Sequence, residues 1–518
     1  MINYRRPSCI WGCVSVVLAT LAGCAWAPEG ASRKPNIIYI LADDLGYGEL
    51  GCFGQRKIET PNIDRLCRDG MRFTSHYSGS PVCAPSRCAL LTGHHTGHTH
   101  IRGNAALAKR GKERNYYREV IDNPALEGQQ PLPAGTRTIG TVLQSAGYRT
   151  ACVGKWGLGA AGNEGAPNKQ GFDFFFGYNC QSLAHTYYPT HLYKNGERVM
   201  LKNRLLVPHV TPLAAEADPL DPASYAAFTQ TDYAPDLMFA EIRSFVDENR
   251  GRPFFLYWST PIPHMALQAP SRWVEHYVRK FGDEAPYPGD KGYFPHRYPH
   301  ACYAAMISYL DEQVGLLVDQ LKRLGLYENT LILFSSDNGP TFNGGTDSPW
   351  FNSGGPFKSE KGWGKCSLHE GGIRVPLIAS WPDRIAPGSR SDHLCASWDV
   401  LPTLCEISGA AAPAETDGIS FVPALLGRAG QREHAYLYWE YPEGDGQQAV
   451  RRGRWKAIRS DIRKGRLKLA LYDLETDLRE ENDVSSQHPD VVRQMERLML
   501  DARVPPTLDV FKLKPLGD

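Results

Sequence analysis

Asn36-Ile37-Ile38-Tyr39-Ile40-Leu41-Ala42-Asp43-Asp44 is the stretch that decides how this chain folds. Almost every residue before the two acids is apolar. A run that is short and apolar at both odd and even positions predicts a strand buried on both faces, as in the middle of a parallel sheet. Parallel strands need helical crossovers, so helix and strand patterns should alternate outward from it. They do. Thr60-Pro61 opens a helix running through Asp69, with Thr60 as cap, Pro61 at its first position and Gly70 as stop. Residues 138–146 form a helix closed by Gly147, and a strand follows at 149–153. Residues 253–259 (PFFLYWS), 330–335 (TLILFS) and 375–380 (VPLIAS) are further strands. Residues 302–324 carry a long helical period ended by Gly325, and a helix around Leu401-Pro402-Thr403 ends at Gly409. The expected class is α/β, a large mixed, mostly parallel sheet flanked by helices. After about Ala410 the texture changes: short antiparallel strands at 434–441, 449–460 and 468–474, then an amphipathic helix at 489–502. This predicts a main domain over residues 34–409 and a smaller C-terminal α+β subdomain over 410–518.

Composition narrows the function classes. The 518 residues are 42% hydrophobic and 22% charged, ordinary for a globular protein. Lys+Arg is 57 and Asp+Glu 56, a net charge of +1, which excludes a bulk-charge nucleic-acid footprint, an acidic tail or a polybasic membrane surface. No fixed repeat is visible, which argues against a solenoid or propeller. Of the 13 cysteines, Cys9, Cys13 and Cys24 lie in the N-terminal segment, and the other ten show no zinc-ligand spacing; Cys83 and Cys88 form a C-x4-C pair without a partner pair, and no disulfide pairing can be read. Three long polar or Pro/Gly-rich stretches, at 103–135, 189–235 and 281–300, read as lids and pocket walls.

Polar residues gather where the strands end. Asp43 and Asp44 follow the first strand, Lys155 follows the strand ending at Val153, His264 lies just beyond Ser259, and Asp337 and Asn338 follow TLILFS. Each alone is ordinary: an Asp pair caps a turn, a histidine is satisfied locally, a lysine is solvated. Open α/β sheets bind ligands at the carboxyl ends of their strands, so together these residues point to one site. Three carboxylates and an amide are hard oxygen ligands suited to Ca²⁺ or Mg²⁺. A divalent cation with a lysine and a histidine beside it suits a tetrahedral oxyanion, hence a phospho- or sulfo-ester hydrolase.

Residues 80–93 read SPVCAPSRCALLTG. A helical pattern starts at about Pro85, which puts Cys83 just before a helix N-terminus, where exposed N–H groups favour anions; Arg87 lies four residues on. From the residues alone Cys83 is either a low-pKa thiolate nucleophile or a buried structural cysteine.

Here the chain resembles the formylglycine-dependent sulfatases, the arylsulfatase type of the alkaline-phosphatase superfamily. C-A-P-S-R followed by C-A-L-L-T-G is similar to their modification signature, with Cys83, Pro85 and Arg87 matching. P-N-I-I-Y-I-L-A-D-D-L-G resembles their opening strand and metal pair, G-Y-R-T-A-C-V-G-K-W their second signature ending in Lys155, and F-S-S-D-N-G-P their second metal pair. K-C-S-L-H-E-G-G-I-R-V-P puts Lys365 at the sulfate-contacting lysine, P-I-P-H puts His264 at the leaving-group position, and L-Y-D-L-E-T-D resembles their C-terminal subdomain. The resemblance runs from Pro35 to about Met499. It implies an alkaline-phosphatase-like fold and a catalytic domain over 34–409. It implies Cys83 oxidised to formylglycine by a formylglycine-generating enzyme, with one Ca²⁺ (or Mg²⁺) held by Asp43, Asp44, Cys83, Asp337 and Asn338. In the implied reaction one hydroxyl of the hydrated aldehyde attacks sulfur, His264 protonates the leaving alcohol, and the second hydroxyl lets the carbon expel sulfate. Arg87, Lys155 and Lys365 stabilise the negative charge. One departure is plain: the family has K-W-H where this chain has Lys155-Trp156-Gly157, so the base for the last step is unassigned. His185 is the first candidate by motif order, with His98 and His100 as alternatives. The neighbouring readings are a phosphate or phosphonate ester hydrolase of the same superfamily and a silent carbohydrate-binding homologue.

Residues 1–27 carry Arg5 and Arg6, an apolar run from Ile10 to Ala22, then Leu21-Ala22-Gly23-Cys24 and Ala25-Trp26-Ala27. The first tetrad resembles a lipobox with Cys24 lipidated, and the second fits a small-x-small cleavage site. Both readings expect export, as an outer-membrane lipoprotein or a periplasmic protein, touching membrane only through the anchor. Export suits a sulfated glycan or small sulfate ester as substrate. Loops containing His185, Tyr187, Arg102 and Asn104 are the expected sugar contacts.

Overall fold

The computed structural model describes residues 1–3, 34–109 and 111–518; the rest of the export segment lies outside the described residues. Along Asn36–Ala42, Ile38, Ile40 and Ala42 face one core while Ile37, Tyr39 and Leu41 face another. Alternate side chains of a strand point to opposite faces, so this one heptapeptide carries two cores. On one face it meets helices Pro61–Arg68, Ala234–Asn249 and Pro299–Arg323; on the other, Cys83–Thr92, Ile139–Ser145 and Val400–Ser408. Each fully buried Ile or Leu contributes about 1.5–3 kcal/mol, so the strand anchors a three-layer sandwich.

The sheet has ten strands. Its centre is five mutually parallel strands in the order Thr330–Ser336, Asn36–Ala42, Phe254–Ser259, Arg149–Lys155, Phe174–Tyr178, with Ile38 opposite Leu256 on one side and Ile332 on the other. Leu377–Ser380 joins antiparallel, followed by Met71–Phe73 and Ser389–Ser391 at that edge. The hairpin His191–Lys194 and Glu197–Met200 closes the other edge. The class expected from the sequence, a mixed, mostly parallel sheet flanked by helices, is the one observed.

Details differ. Thr60 does not cap its helix; its hydroxyl accepts the Gly51 N–H (2.9 Å) and donates to Asp64 (3.1 Å). The stretches expected as long loops hold helix Glu113–Asp122 and the edge hairpin. Phe174–Tyr178 was not legible as a strand because Gly171 and Gly177 break its pattern. Gly177 has φ +154°, and a Cβ there would lie 1.8 Å from the Gly154 carbonyl oxygen of the next strand.

The C-terminal subdomain is a four-stranded antiparallel sheet: Leu437–Tyr441, Gln447–Arg452, Trp455–Arg459 and Ala470–Asp473. The segment expected as one strand at 449–460 turns at Gly453, giving two. Met495 and Met499 of helix Pro489–Asp501 cover one face; Tyr77, Val82, Ala89 and Trp398 pack on the other, so the subdomain backs the helix that starts at Cys83. Residues 35–518 form one compact unit. Among the described residues no helix is long and apolar enough to cross a membrane.

Candidate active site

Five parallel strands end on one edge, and each delivers polar side chains there. Asp43 and Asp44 leave Asn36–Ala42, Asp337 and Asn338 leave Thr330–Ser336, and Lys155 ends its strand. His264 follows Phe254–Ser259, and Asn179 and Gln181 follow Phe174–Tyr178. Cys83 is the first residue of its helix rather than the residue before it, and the whole helix is buried.

These groups converge. Asp43 accepts from Lys155 Nζ (2.6 Å) and from Cys83 Sγ (3.4 Å), and Lys155 Nζ also lies 3.4 Å from that sulfur. Lys365 Nζ is 2.7 Å from Asp44 and 3.8 Å from Cys83 Sγ. Arg87 bridges Asp337 (2.8 Å) and Asp43 (3.3 Å) and donates to the Lys155 carbonyl (2.8 Å) and the Ser259 hydroxyl. His264 donates from Nδ1 to the Met265 carbonyl (2.7 Å), which turns Nε2 toward Asp44 at 3.7 Å. Asp44 sits at φ +65°, a left-handed conformation that aspartate tolerates better than most residues and that turns its carboxylate into the cluster.

Burial raises the Asp43 carboxyl, but Lys155, His264 and Arg87 together outweigh it and hold the group well below the usual range. Asp337 is pushed upward, by burial first and then by Asp43, against the opposing pull of Arg87. Burial, then Lys365 and Lys155, lower His264 to about 4. Burial and Asp43 push the Cys83 thiol up, against the opposing pull of Lys155 and Lys365.

The oxygen cage fits a hard divalent cation. Asn338 Nδ2 donates to Asp44 Oδ1 (2.8 Å) and to the Gly339 carbonyl, leaving Asn338 Oδ1 buried with no partner among the described residues. Ligand atoms of Asp43, Asp44, Cys83 and His264 lie within 4.8 Å of one another. A buried carbonyl oxygen without a donor, among three buried carboxylates, is what a site for Ca²⁺ or Mg²⁺ presents.

The expected sugar contacts fare differently. Arg102 is buried and spends its donors on Glu440 (2.9 Å) and on the carbonyls of Thr99, Gly97 and Val504; it ties chain segments together and does not face substrate. Tyr187 is also buried, its hydroxyl on the carbonyls of Pro261 (2.8 Å) and His264 (2.7 Å), so it positions the His264 turn instead of touching a sugar. Asn104 accepts the Ala84 N–H (2.9 Å) in the first turn of the cysteine helix. His98 lies on Asp417 and His100 on Thr507, beyond the far end of that helix, about 15 Å of helix away from Cys83. Neither serves as the missing base. His185 stacks on His264 with ring centroids 5.0 Å apart and contacts His209 (3.0 Å) and Tyr293. It walls the His264 side of the cluster.

Sequence reading missed Gln181. Gly157 has φ +83°, and a Cβ there would lie 2.2 Å from Gln181 Nε2, an amide nitrogen that is buried without a partner. Gln181 therefore occupies the room a side chain at 157 would need. Gly157→Ala is expected to destabilise the fold by about 1–3 kcal/mol. Gln181→Ala should recover the steric part, leaving the cost of the positive φ, as a double-mutant cycle of thermal melts would measure.

An anion-ester site at the carboxyl edge of a mostly parallel sheet, with a helix-start cysteine facing an oxygen cage, defines an alkaline-phosphatase-like hydrolase. The sulfatase family model matches residues 35–410, and a second model, N-sulphoglucosamine sulphohydrolase C-terminal, matches 359–504. The chain belongs to the sulfatase family and is a hydrolase of sulfuric esters. It is 35% identical to human arylsulfatase A over 461 residues, covering 86% of this chain and 77% of that one. To the dog N-acetylgalactosamine-6-sulfatase it is 32% identical over 451 residues, covering 85% and 74%. The crystal structure of Ps i-CgsB in complex with k-i-k-neocarrahexaose is similar at a TM-score of 0.68 and 27% identity, covering 90% of this chain and 92% of that one.

Proposed function

We propose that this protein removes sulfate from a sulfated carbohydrate, using a formylglycine made from Cys83 by a formylglycine-generating enzyme and one Ca²⁺ held by Asp43, Asp44, Asp337 and Asn338. The observation that carries the reading is Cys83 at a buried helix start, within 3.8 Å of both Lys155 and Lys365 and 3.4 Å from Asp43. The carbohydrate is supported by the names of similar proteins, an N-acetylgalactosamine-6-sulfatase and a neocarrahexaose complex. An aldehyde hydrate at position 83 supplies the nucleophilic hydroxyl and a second hydroxyl that permits regeneration. The side chains do the rest. Lys155 and Lys365 neutralise sulfate oxygens as charge builds. Arg87 holds Asp337 and Asp43 in place. His264, fixed through Nδ1 and by the Tyr187 hydroxyl beneath its turn, faces the leaving oxygen with Nε2, which has a proton to give in the imidazolium form. His185, His209 and Tyr293 line that side, so they are the groups a leaving sugar meets.

The competing reading is a phosphate or phosphonate ester hydrolase. With matched aryl esters, kcat/KM for the sulfate should exceed that for the phosphate by at least about 10²-fold, roughly 2.7 kcal/mol; the reverse order would replace the proposal. Residues 1–27 support export with lipidated Cys24. Fatty-acid labelling lost in Cys24→Ala tests this, and a mature chain starting at Pro28 would make the protein soluble.

A further inference from the structure

The nucleophile helix has a second cluster of metal-ligating groups at its other end. Gly93 ends Cys83–Thr92 in the left-handed conformation, and His94-His95-Thr96-Gly97-His98 follows. A distant segment meets it: Asp417 N–H (3.0 Å) and the Thr416 hydroxyl (2.8 Å) both donate to the Gly93 carbonyl. This pinning brings the Asp417 carboxylate against three imidazoles. His98 Nδ1 is 2.9 and 3.0 Å from its two oxygens, His94 Nδ1 is 3.3 Å from Oδ2, and His95 Nε2 is 3.7 Å from Oδ2. Ligand atoms of His94, His98 and Asp417 lie within 4.8 Å of one another.

We infer that His94, His98 and Asp417 form a second metal site, a Zn²⁺ clip that ties the C-terminal end of the nucleophile helix to the segment around Asp417. Two imidazole nitrogens and one carboxylate oxygen are the ligand chemistry of zinc, not of calcium or magnesium. Four ligands at about 2.0–2.1 Å around zinc stand roughly 3.3 Å apart; here the two imidazole–carboxylate separations are 2.9 and 3.3 Å, and the three ligand atoms all lie within 4.8 Å of one another. Three protein ligands leave a fourth position, and the site opens on a cleft of about 640 Å³ lined by His94, His98 and His100, through which water can complete the shell. The other groups fit an outer shell. His95 accepts the Gly97 N–H on Nδ1 (3.1 Å), so its Nε2–H points to Asp417, and its backbone N–H donates to Asp417 Oδ2 (3.0 Å). Such second-shell donors orient a ligating carboxylate. His95 also stacks on His98, with centroids 4.5 Å apart, which fixes that ring. The described cysteines are all free, so nothing covalent links these two segments, and a metal clip supplies the cross-link.

The test uses the whole protein with excess Ca²⁺ to fill the catalytic cage and a Cys366→Ser background, because Cys366 is the exposed thiol. Zn²⁺ titration by calorimetry should show one equivalent bound and a melting temperature raised by a few degrees. Co²⁺ in its place should give the visible bands of a four-coordinate site, a readout on the background protein that needs no further variant. His98→Gln and Asp417→Asn should lose the equivalent, the thermal shift and the Co²⁺ bands while sulfate-ester turnover stays unchanged. Absence of stoichiometric Zn²⁺ binding, or binding and thermal shift retained in both variants, overturns the clip.

Discussion

Cys83→Ala is expected to lower sulfate-ester turnover by at least about 10⁴-fold, because a methyl group without its thiol cannot be oxidised to the aldehyde whose hydrate is the nucleophile. The fold should survive. Lys155 and Lys365 keep their carboxylate partners, Asp43 and Asp44, when the sulfur is gone, and Arg87 keeps both Asp337 and Asp43. Only one side-chain heavy atom is deleted from a helix whose packing is carried by Ala84, Cys88, Leu90 and Leu91. Turnover of an aryl sulfate measured beside a thermal melt separates the two effects. Mass spectrometry of the wild-type Cys83 peptide from its native host should show the aldehyde. Activity retained in Cys83→Ala, or a purely thiol peptide in fully active enzyme, would remove Cys83 from the chemistry.

The second large effect is expected from the cation. Chelation should reduce turnover by about 10²–10³-fold, and Ca²⁺ should restore it, since the removed charge stabilises the same developing negative charge as Lys155 and Lys365. Asp337→Asn should lower calcium content and turnover together. The asparagine is the informative substitution. Asparagine keeps an acceptor oxygen for buried Arg87, whereas Asp337→Ala also leaves those guanidinium hydrogen bonds unmade and would cost about 3–5 kcal/mol of folding energy. Elemental analysis should find calcium lost from Asp337→Asn. Full activity after exhaustive chelation, or unchanged calcium in that variant, contradicts the assignment of the cage.

Part of the architecture was legible because short-range pattern and long-range packing agree along much of the chain. Asn36–Ala42 is apolar at every side-chain position that faces a core, and Thr138 and Gly325 act where their residue types predict. Thr138 forms a capping box with Thr141, whereas Thr60, of the same type at a similar position, has its hydroxyl drawn away by Gly51 and Asp64. Local chemistry does not distinguish those two threonines; their neighbours in space do.

The sequence by itself determined the sheet class, the polar residues at the ends of four of its five central parallel strands, and a cysteine within one residue of a helix start. Those features rest on periodicity and on residue types at short spacing, which a single chain displays directly. Tertiary structure alone decided what the loop residues do. Arg102 and Tyr187 have the chemistry of sugar contacts, yet their polar atoms are spent on Glu440 and on backbone carbonyls. The contact of Gln181 with Gly157 spans 24 positions, and the meeting of His98 with Asp417 spans 319. A side chain's partners across such gaps are set by which strand ends and helix ends the fold brings together, and no local pattern records that.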